Sequence, residues 1–350
     1  MLAKNYALAT LDIFSTDEEI IDMITERYRR RTAWHKAEKN LILQGKAICR
    51  RLLGSTKEAA SDLFDKIRKL KDGEIEAILA NDIDPSAKHN DLDLINGVWN
   101  VYPIIYALNY IEKQRLIVEA EYSQMVKRLP IASWVKTQDG VSWGSIAAII
   151  GSTGDLRHYA NPSRVWKRMG LAVMPDGRQR PMRDAERAKT HGYNPQRRSV
   201  MWNIGTSILR TQTEKYEDEI DPETGEFVRD AKGKKIKTDI VKKPAGEWRI
   251  LYDQRRAYEE EKNANGDYAD QAAQRLREAN FAKTTSAYKL YSEGKLPPLH
   301  LHARAQRFME KRFLLQMWKE WNAVMPPLPE ETVGKTDDVA EAEPEELASP

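Results

Sequence analysis

The sequence predicts a mainly α-helical protein: a long antiparallel, coiled-coil-like arm followed by a helix-hairpin-helix domain with a small β-hairpin insertion. Three observations predict it. Two long stretches carry apolar residues at helical spacing on either side of a polar loop; a small-residue turn opens onto a short apolar helix; and two polar, Gly-containing turns flank a few β-formers.

After a lead over 1–14, Ser15 and Glu18 have the form of a capping box. The stripe Ile20, Ile24, Tyr28, Trp34, Leu41, Ile48 and Leu52 extends a helix from about Thr16 to Leu53, which Gly54 stops. A second helix is expected from Lys57 to about Leu79 on Leu63, Ile67 and Ile75, and a loop over 81–90. From Asp91 to Leu129 the pattern is helical again, with Pro103 inside it as an expected kink and Pro130 as its end. Two such helices of similar length fold back as an antiparallel pair, so residues 15–130 read as an arm.

Residues 131–213 form the next part. Thr137-Gln138-Asp139-Gly140-Val141-Ser142 is a turn, and Trp143-Gly144-Ser145 leads into the small apolar run Ile146 to Ile150. A helix N-terminus with bare N–H groups favours an anion, and Gly140 and Gly144 allow close approach. Gly140, Val141, Ser142, Trp143, Gly144 and Ser145 are therefore candidate phosphate contacts that read no bases. Residues 214–246 are polar, and Phe227-Val228 and Ile236 between turns suggest an exposed β-hairpin. Lys232, Lys234, Lys235, Lys237, Lys242 and Lys243 make it either a phosphate-contacting finger or a solvated insertion. Over 247–325 helices are expected from Glu247 to Glu261, from Gly266 to about Glu293, and from Leu299 to about Val324. The last carries His302, Arg304, Arg307, Lys311 and Arg312 on one side.

The 350 residues are 31% charged and 41% hydrophobic, with no apolar run long enough for a membrane span. The N-terminus does not read as a signal peptide. One cysteine, Cys49, excludes an internal disulfide and a cysteine zinc cage, and cytoplasmic residence follows as the default. The net charge of +3 hides an acidic stretch over 326–350 worth −7, which leaves +10 on the rest. That tail is expected to be disordered, either competing for a basic surface or simply solvated. Ten of the basic residues fall between Arg164 and Arg198 against three acidic ones. Arg164, Lys167, Arg168, Arg178, Arg180, Arg183, Arg197 and Arg198, with Trp166 and Tyr193 interleaved, suit a nucleic-acid surface. The histidines are scattered, and His300 and His302, two apart, do not share a helix face, so no metal site is expected. There is no P-loop, Rossmann fingerprint or Gly-x-Ser-x-Gly.

The run Asp139-Gly140-Val141-Ser142, the helix Ile146 to Ile150, Gly154-Asp155, Tyr159 and Gly170-Leu171 resembles the C-terminal domain of the insertion-sequence 110/116/902 family of transposases. The resemblance spans about residues 131–210. It implies DNA binding in transposition or recombination, with RNA as a further partner, and homo-oligomer assembly through the preceding arm. It also implies a nucleophilic serine soon after the Gly-Leu and an N-terminal carboxylate domain that binds divalent metal. Here Asp176-Gly177 stands where Ser-Gly is expected, no serine lies between Leu171 and Arg198, and the carboxylate domain has no counterpart. An aspartate cannot replace a hydroxyl that accepts and later releases a phosphoryl group. Asp176, Thr190 and Ser199 are the remaining catalytic candidates, and Mg2+ enters only if the chain is catalytic. Beside a transposase-like protein stand a non-catalytic DNA- or RNA-binding scaffold derived from such a domain and a helical assembly protein with no nucleic-acid role.

Overall fold

A computed structural model describes residues 15–54, 56–80, 91–175 and 177–328. The protein is mainly helical, with two small antiparallel two-stranded sheets among the described residues. It divides after Met125 into two compact units. The acidic tail from residue 329, the lead over 1–14, the expected loop 81–90 and Asp176 lie outside the described residues.

The first unit begins with α1 (Asp17–Leu53). Its capping box is Thr16 with Glu19, one residue later than the sequence suggested. With Thr16 as the cap, Asp17, Glu18 and Glu19 all fall in the first turn, where the helix dipole favours carboxylates. The expected second helix is two helices, α2 (Lys57–Arg68) and α3 (Asp72–Leu79). The carboxylate of Glu74 accepts the Lys71 N–H at 2.7 Å, so a fresh N-terminus forms where one continuous helix was expected. Helix α4 (Leu92–Val126) runs unbroken through Pro103.

The two long helices are antiparallel, because their ion pairs run in opposite senses. Arg27 pairs with Glu121, Arg31 with Glu119 and Glu38 with Arg115, each at 2.8 Å. The connector between them is not a bare loop: Leu63, Phe64, Ile67, Ile75 and Ile78 of α2 and α3 form a core with Cys49, Val98, Val101, Ile105 and Leu108.

The second unit is built around its last helix. Short helices α5 (Ala132–Lys136), α6 (Trp143–Thr153) and α7 (Pro162–Arg168) are followed by a hairpin of β1 (Val173–Met174) and β2 (Gly177–Arg178). Then come α8 (Ala185–His191) and α9 (Pro195–Gln212). A second hairpin pairs β3 (Lys215–Asp218) with β4 (Lys237–Lys243). Helices α10 (Glu247–Ala264), α11 (Ala269–Glu278), α12 (Ser286–Ser292) and α13 (Pro298–Val324) complete it. The expected helix from Gly266 to Glu293 is thus α11 and α12, separated by residues 279–285.

Helix α13 packs against α7, α9 and α10, and buries Ala305, Met309, Phe313, Leu314, Met317 and Trp321. Indole N–H groups fasten the surrounding segments. Trp321 donates to Asp155, Trp318 to the Tyr159 carbonyl, Trp166 to the Lys311 carbonyl, and Trp248 to Gln138. A buried indole needs such an acceptor, so each bond fixes one segment against its neighbour.

The inserted hairpin lies within the expected span 214–246, with its main strands outside Phe227-Val228 and Ile236. Its main ladder joins Lys215 to Asp218 with Lys237 to Lys243, while Phe227 bridges Ile220 and Arg229 bridges Lys235. The chain leaves and returns at one point, since the Gly246 N–H donates to the Gln212 carbonyl at 3.0 Å.

Candidate nucleic-acid interface

The turn and helix that suggested a phosphate grip are held mainly by packing. Gly140 has φ +84°, and a Cβ there would lie 2.9 Å from the Ile208 Cα of α9. Its missing side chain therefore serves close approach of backbone to backbone inside the protein. Ser142 is the N-cap of α6 in extended conformation and accepts the Ser145 N–H. A serine there costs the turn nothing, because the position has negative φ and the hydroxyl satisfies one of the orphan donors. Val141, Trp143, Gly144 and Ser145 are half-buried, and Ile146, Ala147, Ile149 and Ile150 are buried.

Downstream, Asp155 is structural. It is buried, accepts from Trp321 at 2.9 Å and pairs with Arg157. Burial pushes its carboxyl up, but the Arg157 bonds and the indole outweigh this and hold it below its ordinary value.

The strongest charge feature lies between the β1–β2 hairpin and helices α10, α11 and α13. Two adjoining clefts, of about 220 and 170 Å³, share Gly177, Arg178, Gln271, Arg304 and Arg307. The first adds Arg255, Glu259 and Lys311, the second Arg180, Arg275, Glu278 and His300. Spacing explains the convergence. His300, Arg304, Arg307 and Lys311 follow i, i+4, i+7, i+11 on α13, and Gln271, Arg275 and Glu278 share one face of α11. Arg178 is positioned by its buried neighbour Gln179, which donates to the Lys167 and His191 carbonyls and accepts from the Ala172 N–H.

Two carboxylates face seven cations here. Glu259, 1% exposed, accepts from Arg304 Nε and from the Tyr268 hydroxyl, each at 2.5 Å, and pairs with Arg255 at 2.8 Å. Burial pushes Glu259 up, but Tyr268, Arg304 and Arg255 hold it below its ordinary value, and the Tyr268 phenol is pushed up to about 12. Glu278 pairs with Arg180 at 3.3 Å. Arg178, Arg275 and Arg307 have no ion-pair partner among the described residues. Arg307 is lowered to about 10 by burial and then by Arg198 and Arg178, against the pull of Glu310. Arg178 is exposed as a residue, yet its guanidinium enters the cleft and is lowered by desolvation and by Arg275. His300 is lowered to about 4 by burial and by Arg304, Arg178, Arg307 and Arg275. A cleft whose cations outnumber its carboxylates, and where burial and crowding lower Arg178, Arg307 and His300, is the electrostatic form of an anion site.

The basic residues named from the sequence divide. Arg178 and Arg180 line the cleft. Arg198 is turned inward, 2.8 Å from the fully buried Glu310 and 5.7 Å from the Trp202 ring, so its charge is matched. Burial pushes Glu310 up against the pull of Arg198. Arg168 is exposed and donates to the Ser152 carbonyl. Arg164, Lys167 and Arg197 are half-buried and Arg183 is exposed; burial lowers Lys167. In the inserted hairpin, Lys235 and Lys237 pair with Asp218, and Lys243 pairs with Asp139 at 2.8 Å.

Neither catalytic hydroxyl is presented to the cleft. Thr190 Oγ1 donates to the Glu186 carbonyl and Ser199 Oγ to the Pro195 carbonyl, each within its own helix. Asp176 lies outside the described residues. His300 and His302 take separate tyrosines, Tyr291 and Tyr252, as their helical spacing requires. Among the described residues no three His, Cys, Asp or Glu gather as a metal site, and no helix is long and apolar enough to cross a membrane.

Sequence reasoning missed Arg255, Arg275 and His300 as members of this cluster. The His-Arg-Arg-Lys stripe on α13 was the signal that could have found His300; nothing local marks Arg255 or Arg275. No family model, no curated protein and no solved structure matches the chain significantly.

Proposed function

We propose that the second unit binds the phosphate backbone of a nucleic acid, DNA first, through the cleft lined by Arg178, Arg275 and Arg307. The observation that carries this is that, among the described residues, none of the three forms a close ion pair, whereas Arg304 and Arg180 beside them do, and that the cations of the cleft outnumber its carboxylates. Arg178 and Arg307 are desolvated, and a desolvated guanidinium without a close carboxylate is costly unless an anion completes it; guanidinium is suited to phosphate by its planar set of donors. The resemblance of residues 131–210 to a transposase C-terminal domain supports the same partner. A role in transposition or recombination is part of this reading, as is cytoplasmic residence, which fits the single buried Cys49.

Between a strand-transferring and a purely binding protein, the absence of Thr190 and Ser199 from the lining of the cleft favours binding. The test is anisotropy of a labelled short DNA, duplex and single-stranded, titrated with the full chain at low salt. The reading expects binding that weakens about 40-fold between about 50 and 200 mM salt for three phosphate contacts. Absence of binding to DNA and RNA at the lower salt contradicts it. A nicking assay with magnesium then separates catalysis from binding: activity abolished by Ser199→Ala or Asp176→Ala would restore the catalytic reading.

A further inference from the structure

Resting on that reading, we propose that the smaller cleft takes a terminal phosphomonoester of a nucleic-acid strand, with Arg178, Arg275 and Arg307 as its ligands. The strand beyond the terminal phosphate would follow the adjoining cleft towards Arg255 and Lys311.

Three features lead to the end of a strand in place of its middle. The first is size. At about 170 Å³ the cleft is smaller than the roughly 300–1,000 Å³ of pockets that enclose a whole small molecule, so it fits one group at the tip of a larger ligand. The second is charge. An internal phosphodiester carries one negative charge, whereas a phosphomonoester carries nearly two and offers three acceptor oxygens. Three guanidiniums that form no close ion pair among the described residues, in a cleft with Glu278 as its one carboxylate, match the second set better than the first. The third is the donor arrangement. His300 lines the same cleft with Nδ1 3.3 Å from the Tyr291 hydroxyl, and its Nε2 has no partner among the described residues. In the tautomer where the phenol donates to Nδ1, the ring proton sits on Nε2 and adds a neutral donor to the same cleft.

The experiment measures the affinity of the full chain for one labelled single strand made in three forms: 5′-phosphorylated, 3′-phosphorylated, and with hydroxyls at both ends. Inorganic phosphate serves as competitor. One phosphorylated form is expected to bind about tenfold more tightly than the hydroxyl form, the increment of a charge-assisted bond set, and phosphate should compete away that increment. Arg307→Gln is expected to abolish the preference. Arg178→Gln, at an exposed position on a two-residue strand, should do the same with no bearing on the core. Equal affinity for all three forms, with binding retained, overturns the terminal-phosphate proposal and leaves backbone binding standing. Loss of binding to every form overturns both. A preference that survives both substitutions also refutes the proposal, because it places the phosphate elsewhere.

Discussion

Replacing Asp155 with Ala is the perturbation whose size the structure sets most clearly. The carboxylate is 5% exposed and makes two kinds of contact at once. It accepts from the Trp321 indole of α13 at 2.9 Å, and it holds Arg157, whose side chain is 4% exposed, through Nε and Nη2. Removing one partner of a buried pair costs about 3–5 kcal/mol, with the orphaned indole within that cost, although Arg157 keeps its bond to the Pro326 carbonyl. In a unit of this length each kcal/mol moves the melting temperature by roughly 2–4 °C, so the variant should melt roughly 6–20 °C lower. Tryptophan fluorescence is the suitable assay, because seven of the nine tryptophans lie beyond residue 125 and so report this unit. Asp155→Asn, which keeps an acceptor for the indole and loses the charge, should fall between. A shift below about 2 °C for Asp155→Ala would refute the reasoning that the Gly154-Asp155 pair fastens α13 to the hairpin segment.

Other outcomes follow from the same contacts. Gly205→Ala places a Cβ 2.7 Å from Glu310 Oε1 and 2.8 Å from Gln306 Nε2, so it should destabilise the second unit by about 1–3 kcal/mol in urea unfolding. His300 titrates near 4 in the folded chain and near 6.5 when unfolded. The unfolded state therefore binds the extra proton in that window, and stability should fall as pH drops from about 6.5 to 4, by on the order of 3 kcal/mol at most. His300→Gln should flatten that part of the stability–pH curve. Asp155 acts lower: its contribution is present above the ordinary carboxylate range and is lost as pH falls through its depressed folded value.

Much of the fold was legible because it depends on periodicity and punctuation. The apolar stripe from Ile20 to Leu52 and the stop at Gly54 gave α1 almost residue for residue. The break at Lys69 to Lys71 was not legible, because Leu63, Ile67, Ile75 and Ile78 keep helical spacing across it, and only the Glu74 carboxylate on the Lys71 N–H reveals the restart. Pro103 reads as a kink or an interruption; the helix is not interrupted, and Val98, Val101, Ile105 and Leu108 on either side of it are buried in one core. The site was legible in part. The excess of arginine between 164 and 198 is plain in sequence, but which of these arginines have their charge matched depends on Glu278 and Glu310, which come from distant segments of the chain. Arg198 illustrates this: its charge meets Glu310 inside the protein, while Arg275, which nothing in its neighbourhood singles out, lines the cleft.

The measurement that tests the central claim most directly is the salt dependence of DNA binding for the natural chain and for Arg178→Gln. On duplex DNA without terminal phosphates, with Arg178, Arg275 and Arg307 on three backbone phosphates, log K should fall against log salt with a slope of about −2.7, and Arg178→Gln should make it shallower by about 0.9. An unchanged slope and affinity in that variant would contradict the assignment of the cleft as the nucleic-acid interface.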